Sequence, residues 1–326
     1  MTNSQRSLRR LIPVVATAAA SALLLAGCAS GAAGSGAASD DGKIRVVAST
    51  DVYGQIAEAI GGDHVDVTSV IASASQDPHE FEATASDQLA VQRAQLLIEN
   101  GGGYDSFMDT LVEGSGSTAP LITAAELSPA WPSDSEDHAH TEGADDDHGH
   151  IEGFNEHVWY DPTTISAVAD AIASELTTLV PDAAADITAN VATFQSGLDG
   201  IEGEVAALKS AHGDTEVFAT EPVPMYLAAA AGMTSVTPGA FSEAVEEGQD
   251  VAPAVLLESL NVIKAGGLVA VLANAQTGGP ETQQVIAQAD GQGIPVLEFT
   301  ETLPEDTTYI QWMTDNVALL ASALDG

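Results

Sequence analysis

The sequence predicts an α/β protein of two lobes, each with a small, mostly parallel sheet flanked by helices, and one long helix that connects them. Three observations carry this prediction. Short β-rich runs alternate with helical patterns in the first part of the chain, the same alternation returns after residue 212, and a single long amphipathic pattern separates the two regions. Alternating strands and helices are typical of a parallel sheet covered by helices.

The first 27 residues are predicted to be a signal peptide that does not belong to the fold. Three basic residues, Arg6, Arg9 and Arg10, precede an apolar run over 11–26. This run is short for a permanent membrane-spanning helix and has the length of a signal-peptide core. The adjacent arginines leave twin-arginine export open beside the general secretory route.

Cys28 is the only cysteine in the chain, and it closes the apolar run in the order Leu25-Ala26-Gly27-Cys28. This order resembles the lipobox of bacterial lipoproteins. The resemblance implies cleavage before Cys28, lipidation of that residue, and an extracytoplasmic protein with a lipid anchor in the cell membrane. The segment over 28–42 is almost all Ala, Gly, Ser and Asp, a composition typical of a flexible tether.

The first lobe is expected over 43–180. Strands are predicted at 44–49, 65–71 and 96–100, and a helix is predicted at 86–95. Three consecutive glycines follow the third strand. They predict a turn, because they lack the Lys-Ser/Thr ending of a phosphate-binding loop.

The connecting helix is expected over 181–211. Its evidence is an apolar stripe with alternating spacings of four and three residues, which a long amphipathic helix places on one face. The stripe consists of Ile187, Val191, Phe194, Leu198, Ile201, Val205 and Leu208. A short dimeric coiled coil is the competing interpretation, which Gly197, Gly200 and Gly203 would weaken.

The second lobe is expected over 212–326. Its strands are predicted at 216–220, 268–273 and 294–299. Its helices are predicted near 223–231, 252–265, 280–290 and 308–324. No internal sequence repeat is visible beyond the general alternation of strands and helices.

The composition restricts the function. The 326 residues include 8 Lys and Arg against 48 Asp and Glu, a formal net charge of −40. Phosphates of nucleic acids and anionic lipids would repel such a chain, so nucleic-acid binding is excluded and a cation is the natural partner. Because the lone cysteine belongs to the lipobox, a metal site in the fold would be built from histidine and carboxylate side chains.

Histidine is scarce, with eight in the chain, and two histidines stand in dense motifs. His79 lies in the run Asp-Pro-His-Glu-Phe-Glu over 77–82, shortly after a predicted strand. His157 lies in Asn-Glu-His-Val-Trp-Tyr-Asp-Pro over 155–162, before a helix that Asp161 can cap. Four more sit in an acidic loop over 134–150, namely His138, His140, His148 and His150.

The two motifs and the loop resemble those of the substrate-binding lipoproteins of bacterial zinc and manganese ABC transporters, the metal-binding cluster A-I. The resemblance covers essentially the whole chain after the signal peptide. It implies a metal site of four side chains, two from each lobe, in the cleft between the lobes. His79 and His157 carry over directly, and alignment with the family pattern places Glu221 and Glu301 at the other two positions. Both glutamates depart from the common zinc pattern, which has His and Asp there.

Strand geometry supports the same assignment. Glu221 and Glu301 stand immediately after predicted strands, and His79 follows one closely. In open α/β sheets, ligands bind at the carboxyl ends of the strands. An ordinary surface role for either glutamate is the alternative, since the chain has 48 acidic residues.

The expected ligand set suits a divalent transition metal. Two neutral imidazoles and two carboxylates leave a site with a bound divalent ion neutral, and a neutral site is easier to shield from water. Hard oxygen ligands suit Mn²⁺, whereas the Irving–Williams order and the imidazoles of the acidic loop favour Zn²⁺. On balance Zn²⁺ is expected, with Mn²⁺ as the alternative, and the loop is expected to collect ions weakly near the cleft.

These features predict a binding protein that captures the metal and, as the resemblance implies, delivers it to the permease and ATPase of an ABC importer. An enzyme is not expected, because the His-Glu-x-x-His and Gly-x-Ser-x-Gly motifs are absent. A surface adhesin is the alternative from another class. Because a long helix between the lobes resists wide hinge bending, metal release is expected to involve local loop movement or a small lobe tilt.

Overall fold

Two separate four-stranded sheets form the frame of the described residues, which in the computed structural model are 42–79, 81–132, 151 and 153–324. The strands of the first sheet are β1 (Ile44–Thr50), β2 (Val65–Ile71), β3 (Leu96–Glu99) and β4 (Leu121–Thr123). Those of the second are β5 (Thr215–Ala219), β6 (Met233–Ser235), β7 (Leu268–Asn274) and β8 (Val296–Phe299). All pairings between these strands are parallel. The predicted two-lobed α/β architecture is therefore confirmed.

Both sheets have the same spatial order of strands. The first runs β2-β1-β3-β4 and the second β6-β5-β7-β8. In each sheet the order reverses beside the first strand, between β1 and β3 and between β5 and β7. Ligand crevices of open parallel sheets form at such reversals, outside the carboxyl ends of the strands.

The described helices flank these sheets. They are α1 (Asp51–Gly61), α2 (Ala85–Arg93), α3 (Phe107–Ser115), α4 (Pro162–Leu179), α5 (Ala184–His212), α6 (Met225–Ala230), α7 (Gly239–Glu246), α8 (Pro253–Ala265), α9 (Pro280–Asp290) and α10 (Tyr309–Leu324). As the motif predicts, Asp161 caps α4 by accepting from the backbone N–H groups of Thr163 and Thr164. Among the described helices, none combines the length and the apolar composition that a membrane-spanning helix needs.

Five elements have no counterpart in the sequence prediction, namely β4, β6, α1, α3 and α7. The two strands have three residues each, too few to show a periodic pattern. α1 begins directly where β1 ends, so no turn residue separates its pattern from that of the strand. β8 begins at Val296 rather than at the expected position 294, because Pro295 has no N–H for the strand ladder.

The long helix α5 spans 29 residues, about 43 Å at 1.5 Å per residue. Five residues of its apolar stripe are buried, namely Ile187, Phe194, Leu198, Ile201 and Val205. Val191 and Leu208 are half-buried against the same cluster. Because its own chain covers the stripe, no continuous apolar seam is left for a dimeric coiled coil.

One hydrophobic cluster runs through both lobes. It includes Val46 of the first sheet, Leu272 of the second, Phe194 of α5 and Trp312 of α10. Interiors are packed as densely as organic crystals, so opening the lobes widely would break contacts on both sides of α5. The shared cluster therefore favours the small movements expected from the sequence.

The glycines of α5 give a test of this packing. An added Cβ at Gly203 would meet open space, so Gly203→Ala is expected to raise the free energy of unfolding by about 0.5–1 kcal/mol through helix propensity. At Gly197 the Cβ would lie 3.0 Å from the side chain of Ile310 in α10. Gly197→Ala is therefore expected to gain less or to destabilise. Urea unfolding measures both, and a larger gain at position 197 would contradict the close approach of α10.

Candidate metal centre

The carboxyl ends of strands in the second sheet carry a buried polar cluster. Glu221 and Glu301 each stand two residues after a strand, β5 and β8, and Asn274 is the last residue of β7. The two glutamates are each 3% exposed. Carboxylates at this depth need hydrogen bonds or a cation to offset the loss of hydration.

Hydrogen bonds fix the orientation of both glutamates. Asn274 Nδ2 donates to Glu221 Oε2 at 2.9 Å and to Glu301 Oε1 at 2.6 Å. Thr277 Oγ1 donates to Glu221 Oε1, and the Tyr104 hydroxyl donates to Glu301 Oε2 at 3.0 Å. Each carboxylate is thus held by two donors, and one amide joins the pair.

Tyr104 brings the first lobe into the cluster. Besides donating to Glu301, its buried ring packs edge-on against His79, with ring centroids 5.2 Å apart. The ring centroid of His157 lies 5.9 Å from that of Tyr104. Three of the four predicted ligands therefore contact this one tyrosine.

His157 is buried and oriented by its own motif. Its Nδ1–H donates to Asn155 Oδ1 at 2.7 Å, and its backbone N–H donates to the same oxygen at 3.1 Å. A side-chain oxygen on Nδ1 fixes the tautomer and leaves the ligand lone pair on Nε2. The ring also packs against Trp159, with centroids 5.1 Å apart. The motif residues Asn155 and Trp159 thus hold the imidazole in place.

His79 lies in the turn that follows β2 and is half-buried. Its backbone N–H donates to Asp77 Oδ1 at 2.9 Å. A cavity of about 70 Å³ adjoins this turn and is lined by residues 74–78, Gln276, Thr277 and Glu301. The turn of His79 and the carboxylate of Glu301 therefore border the same small space.

Burial raises the pKa of both second-lobe carboxyl groups. The pKa of Glu301 rises to about 8, first because of burial and then because of the charge on Glu221. Burial also raises the pKa of Glu221, although hydrogen bonds from Thr277 and Asn274 oppose the shift. A nearby divalent ion would favour the ionised forms. A metal ion at this cluster would therefore compete with protons for the two carboxyl groups.

The four predicted ligands meet through Tyr104 and Asn274 rather than as one tight set of ligand atoms. Among the described residues, the group of His and acidic side chains whose ligand atoms all lie within 4.8 Å of one another is Glu156, His157 and Glu246. Sequence reasoning singles out only His157 of these three. Glu156 stands inside the His157 motif, where its neighbour could have drawn attention to it.

Glu246 carries no such signal, since it lies in an acidic stretch of α7 without a motif. Tyr104 and Asn274 were also missed. Asn274 stands at a strand end like the two glutamates, so the same rule could have found it. Cys28 and the four loop histidines, His138, His140, His148 and His150, lie outside the described residues, and their roles stay predictions.

Hydrogen bonds between the lobes close the region around the cluster. The Tyr226 hydroxyl donates to the Asn155 carbonyl at 2.7 Å, and Asn155 Nδ2 donates to the Pro222 carbonyl at 3.0 Å. The Tyr160 hydroxyl donates to the Thr300 carbonyl at 2.8 Å. These bonds join the two lobes beside the glutamates and the buried imidazole.

Comparison with known proteins gives a family match over most of the chain. The model of the family described as zinc-uptake complex component A, periplasmic, ZnuA, matches residues 46–323. The solved structure of the periplasmic zinc-binding protein TroA from Treponema pallidum has a TM-score of 0.68 at 18% identity, covering 87% of this chain and 99% of that one. This likeness shows a shared fold.

Two curated relatives are named for different metals. The manganese-binding lipoprotein MntA of Halalkalibacterium halodurans is 28% identical over 181 residues, 56% of this chain and 54% of that protein. The zinc-binding protein AdcA of Streptococcus pyogenes is 23% identical over 181 residues, 52% of this chain and 34% of that protein. The matches thus span about half of the first relative and a third of the second.

Proposed function

Because the chain belongs to the family of periplasmic zinc-uptake components A, we propose that it captures a divalent transition metal outside the cytoplasm and delivers it to the permease of an ABC importer. The partner ATPase would supply the energy for uptake. The observation that carries the proposal is the buried pair Glu221 and Glu301, which Asn274 joins and which Tyr104 links to His79 and His157.

The four side chains suit capture rather than catalysis. Two imidazoles and two carboxylates neutralise a divalent ion, and the burial of His157, Glu221 and Glu301 would keep most water away from it. His157 is preset by Asn155 and the glutamates by Asn274 and Tyr104, so binding costs little ordering of the ligands. The remaining movement falls on His79, which lies in a turn at the edge of the small cavity.

We propose Zn²⁺ as the cargo, with Mn²⁺ as the alternative. Zinc binds more tightly at mixed His and carboxylate sites, whereas two glutamates offer the oxygen ligands that manganese prefers. The lipidated Cys28 would anchor the protein to the membrane, and the histidines of the loop over 134–150 would raise the local ion concentration.

Metal analysis tests the function directly. Protein purified without added metal is expected to contain one tightly held ion per chain, and competition between Zn²⁺ and Mn²⁺ identifies the preferred one. A chain that retains neither ion through dialysis would contradict the proposal.

Glu221→His is expected to shift preference towards Zn²⁺. The change replaces a hard oxygen by an imidazole nitrogen and leaves a charge of +1 on the loaded site. The measurement is the ratio of Zn²⁺ to Mn²⁺ affinity in competition titrations. An unchanged ratio would remove Glu221 from the ligand set.

Metal binding is expected to release protons near neutral pH. With the pKa of Glu301 at about 8 in the metal-free protein, this carboxyl group is mostly protonated at about pH 7 and must ionise to bind a cation. The apparent affinity for Mn²⁺ should therefore rise with pH and level off above about pH 8. Calorimetry in buffers of different ionisation enthalpy counts the protons released. A count of zero at about pH 7 would contradict the role of Glu301.

A further inference from the structure

A second group of metal-binding side chains lies beside the four predicted ligands and shares His157 with them. One ligand atom from each of Glu156, His157 and Glu246 lies within 4.8 Å of the other two. Glu156 and His157 belong to the first lobe, and Glu246 is the last residue of α7 in the second lobe. The group therefore spans the cleft.

The spacing is close to what one ion requires. Two ligand atoms that each lie about 2.1 Å from a metal ion are at most about 4.2 Å apart. Small rotations of the two glutamate side chains would bring all three atoms within this distance. Two carboxylates and one imidazole also neutralise a divalent ion and leave coordination positions for water.

Contacts within the protein do not explain the position of Glu246. Its Oε1 is buried and has no hydrogen-bond partner among the described residues. It lies 3.7 Å from His157 Nδ1, which is beyond hydrogen-bond range, and that nitrogen donates to Asn155 instead. The carboxyl end of α7 adds partial negative charge at the same place. A cation between Glu246 and the first lobe would compensate this concentration of acidic groups.

Exposure suggests an order of contact with an incoming ion. The Glu246 side chain is 14% exposed, whereas Glu221 and Glu301 are each 3% exposed. Among the carboxylates of both groups, Glu246 is therefore the one most open to solvent, since Glu156 is also only 3% exposed.

We propose that Glu156, His157 and Glu246 form an entry position that binds the incoming divalent ion first. Because Nδ1 of His157 donates to Asn155, the ion would be bound through Nε2 at both positions, and His157 stays bound while the ion passes to Glu221 and Glu301. The inference rests on the proposed function, because entry is a step of capture in the same cleft.

An equilibrium experiment isolates the entry position. In the full chain, His138→Ala, His140→Ala, His148→Ala and His150→Ala remove the loop imidazoles, and this parent is titrated with Co²⁺ while its visible absorption is recorded. Glu221→Gln with Glu301→Gln then disables the deep position. We expect weaker binding of one Co²⁺ to remain, to disappear with Glu246→Gln, and to persist with Glu243→Gln, the matched change at an exposed residue of α7.

A kinetic experiment uses the intact deep position. Stopped-flow mixing of the parent with Zn²⁺ is expected to give a slower association rate for Glu246→Gln, with little change in equilibrium affinity. Glu243→Gln should match the parent. This measurement adds only one conservative change to the parent. It therefore does not depend on the folding of the variant that combines Glu221→Gln, Glu301→Gln and Glu246→Gln.

The outcomes distinguish a failure of the proposed function from a failure of the entry position. If the parent itself binds no metal tightly, the proposed function fails. If the parent binds tightly but residual Co²⁺ binding is absent, or survives Glu246→Gln, the entry position is wrong. An association rate that Glu246→Gln leaves unchanged also overturns it.

Discussion

Glu301→Gln is expected to abolish tight metal binding and, at the same time, to stabilise the metal-free protein. The carboxylate is buried beside Glu221, so the folded chain loses stability as the pH rises from the ordinary pKa of 4.5, and the loss is complete above the raised pKa of about 8. Glutamine keeps the shape: its oxygen can accept from Asn274, and its amide can donate to the Tyr104 hydroxyl. We expect a gain of about 4–5 kcal/mol in the free energy of unfolding at about pH 8.5.

The loss of affinity should exceed the roughly 10–100-fold effect of changes outside the ligand set, because a ligand atom is removed. Thermal unfolding with and without Zn²⁺ reads both effects in one experiment. Glu298→Gln is the matched control, since Glu298 is an exposed residue of β8 with the same charge. A variant that loses stability, or that keeps the metal-dependent rise in Tm, would show that Glu301 is a structural carboxylate.

The position of Glu301 could be predicted from the sequence, although its burial costs stability. A folded protein rarely buries an ionisable group unless a partner compensates it. The strand-end rule marks such positions from the sequence, because the period of the strand and the following turn are local. His157 could be found in the same way, since Asn155, Trp159 and Asp161 act on it within one short motif.

The rest of the site depends on contacts between distant parts of the chain. Tyr104 reaches Glu301, a residue 197 positions later, and no periodicity connects the two. Glu246 meets His157 only because α7 and the His157 segment pack across the cleft. The short strands β4 and β6 are likewise defined by the neighbours they pair with rather than by their own three residues. Sequence patterns predict local geometry, and these features arise from tertiary packing.

The metal-free protein is expected to gain stability as the pH falls from about 8.5 to about 6. Burial raises the pKa of Glu301 to about 8, and burial followed by the charge on Asp105 raises that of Glu99 to about 8 as well. Both ordinary values are 4.5. Between these limits the folded chain binds more protons than the unfolded chain, so stability must fall as pH rises. The two groups together should contribute about 5 kcal/mol over this interval.

Repulsion among the surface carboxylates would act in the same direction, since the net charge is −40. The two causes separate because surface repulsion is screened by salt, whereas buried groups are screened much less. We therefore expect the pH slope of Tm to persist in about 1 M NaCl, to shrink with Glu301→Gln, and to stay unchanged with Glu298→Gln. Saturating Mn²⁺ should reduce the slope, because the bound ion keeps Glu301 ionised throughout. A slope that vanishes in salt would assign the effect to the surface and leave Glu301 ionised in the metal-free protein.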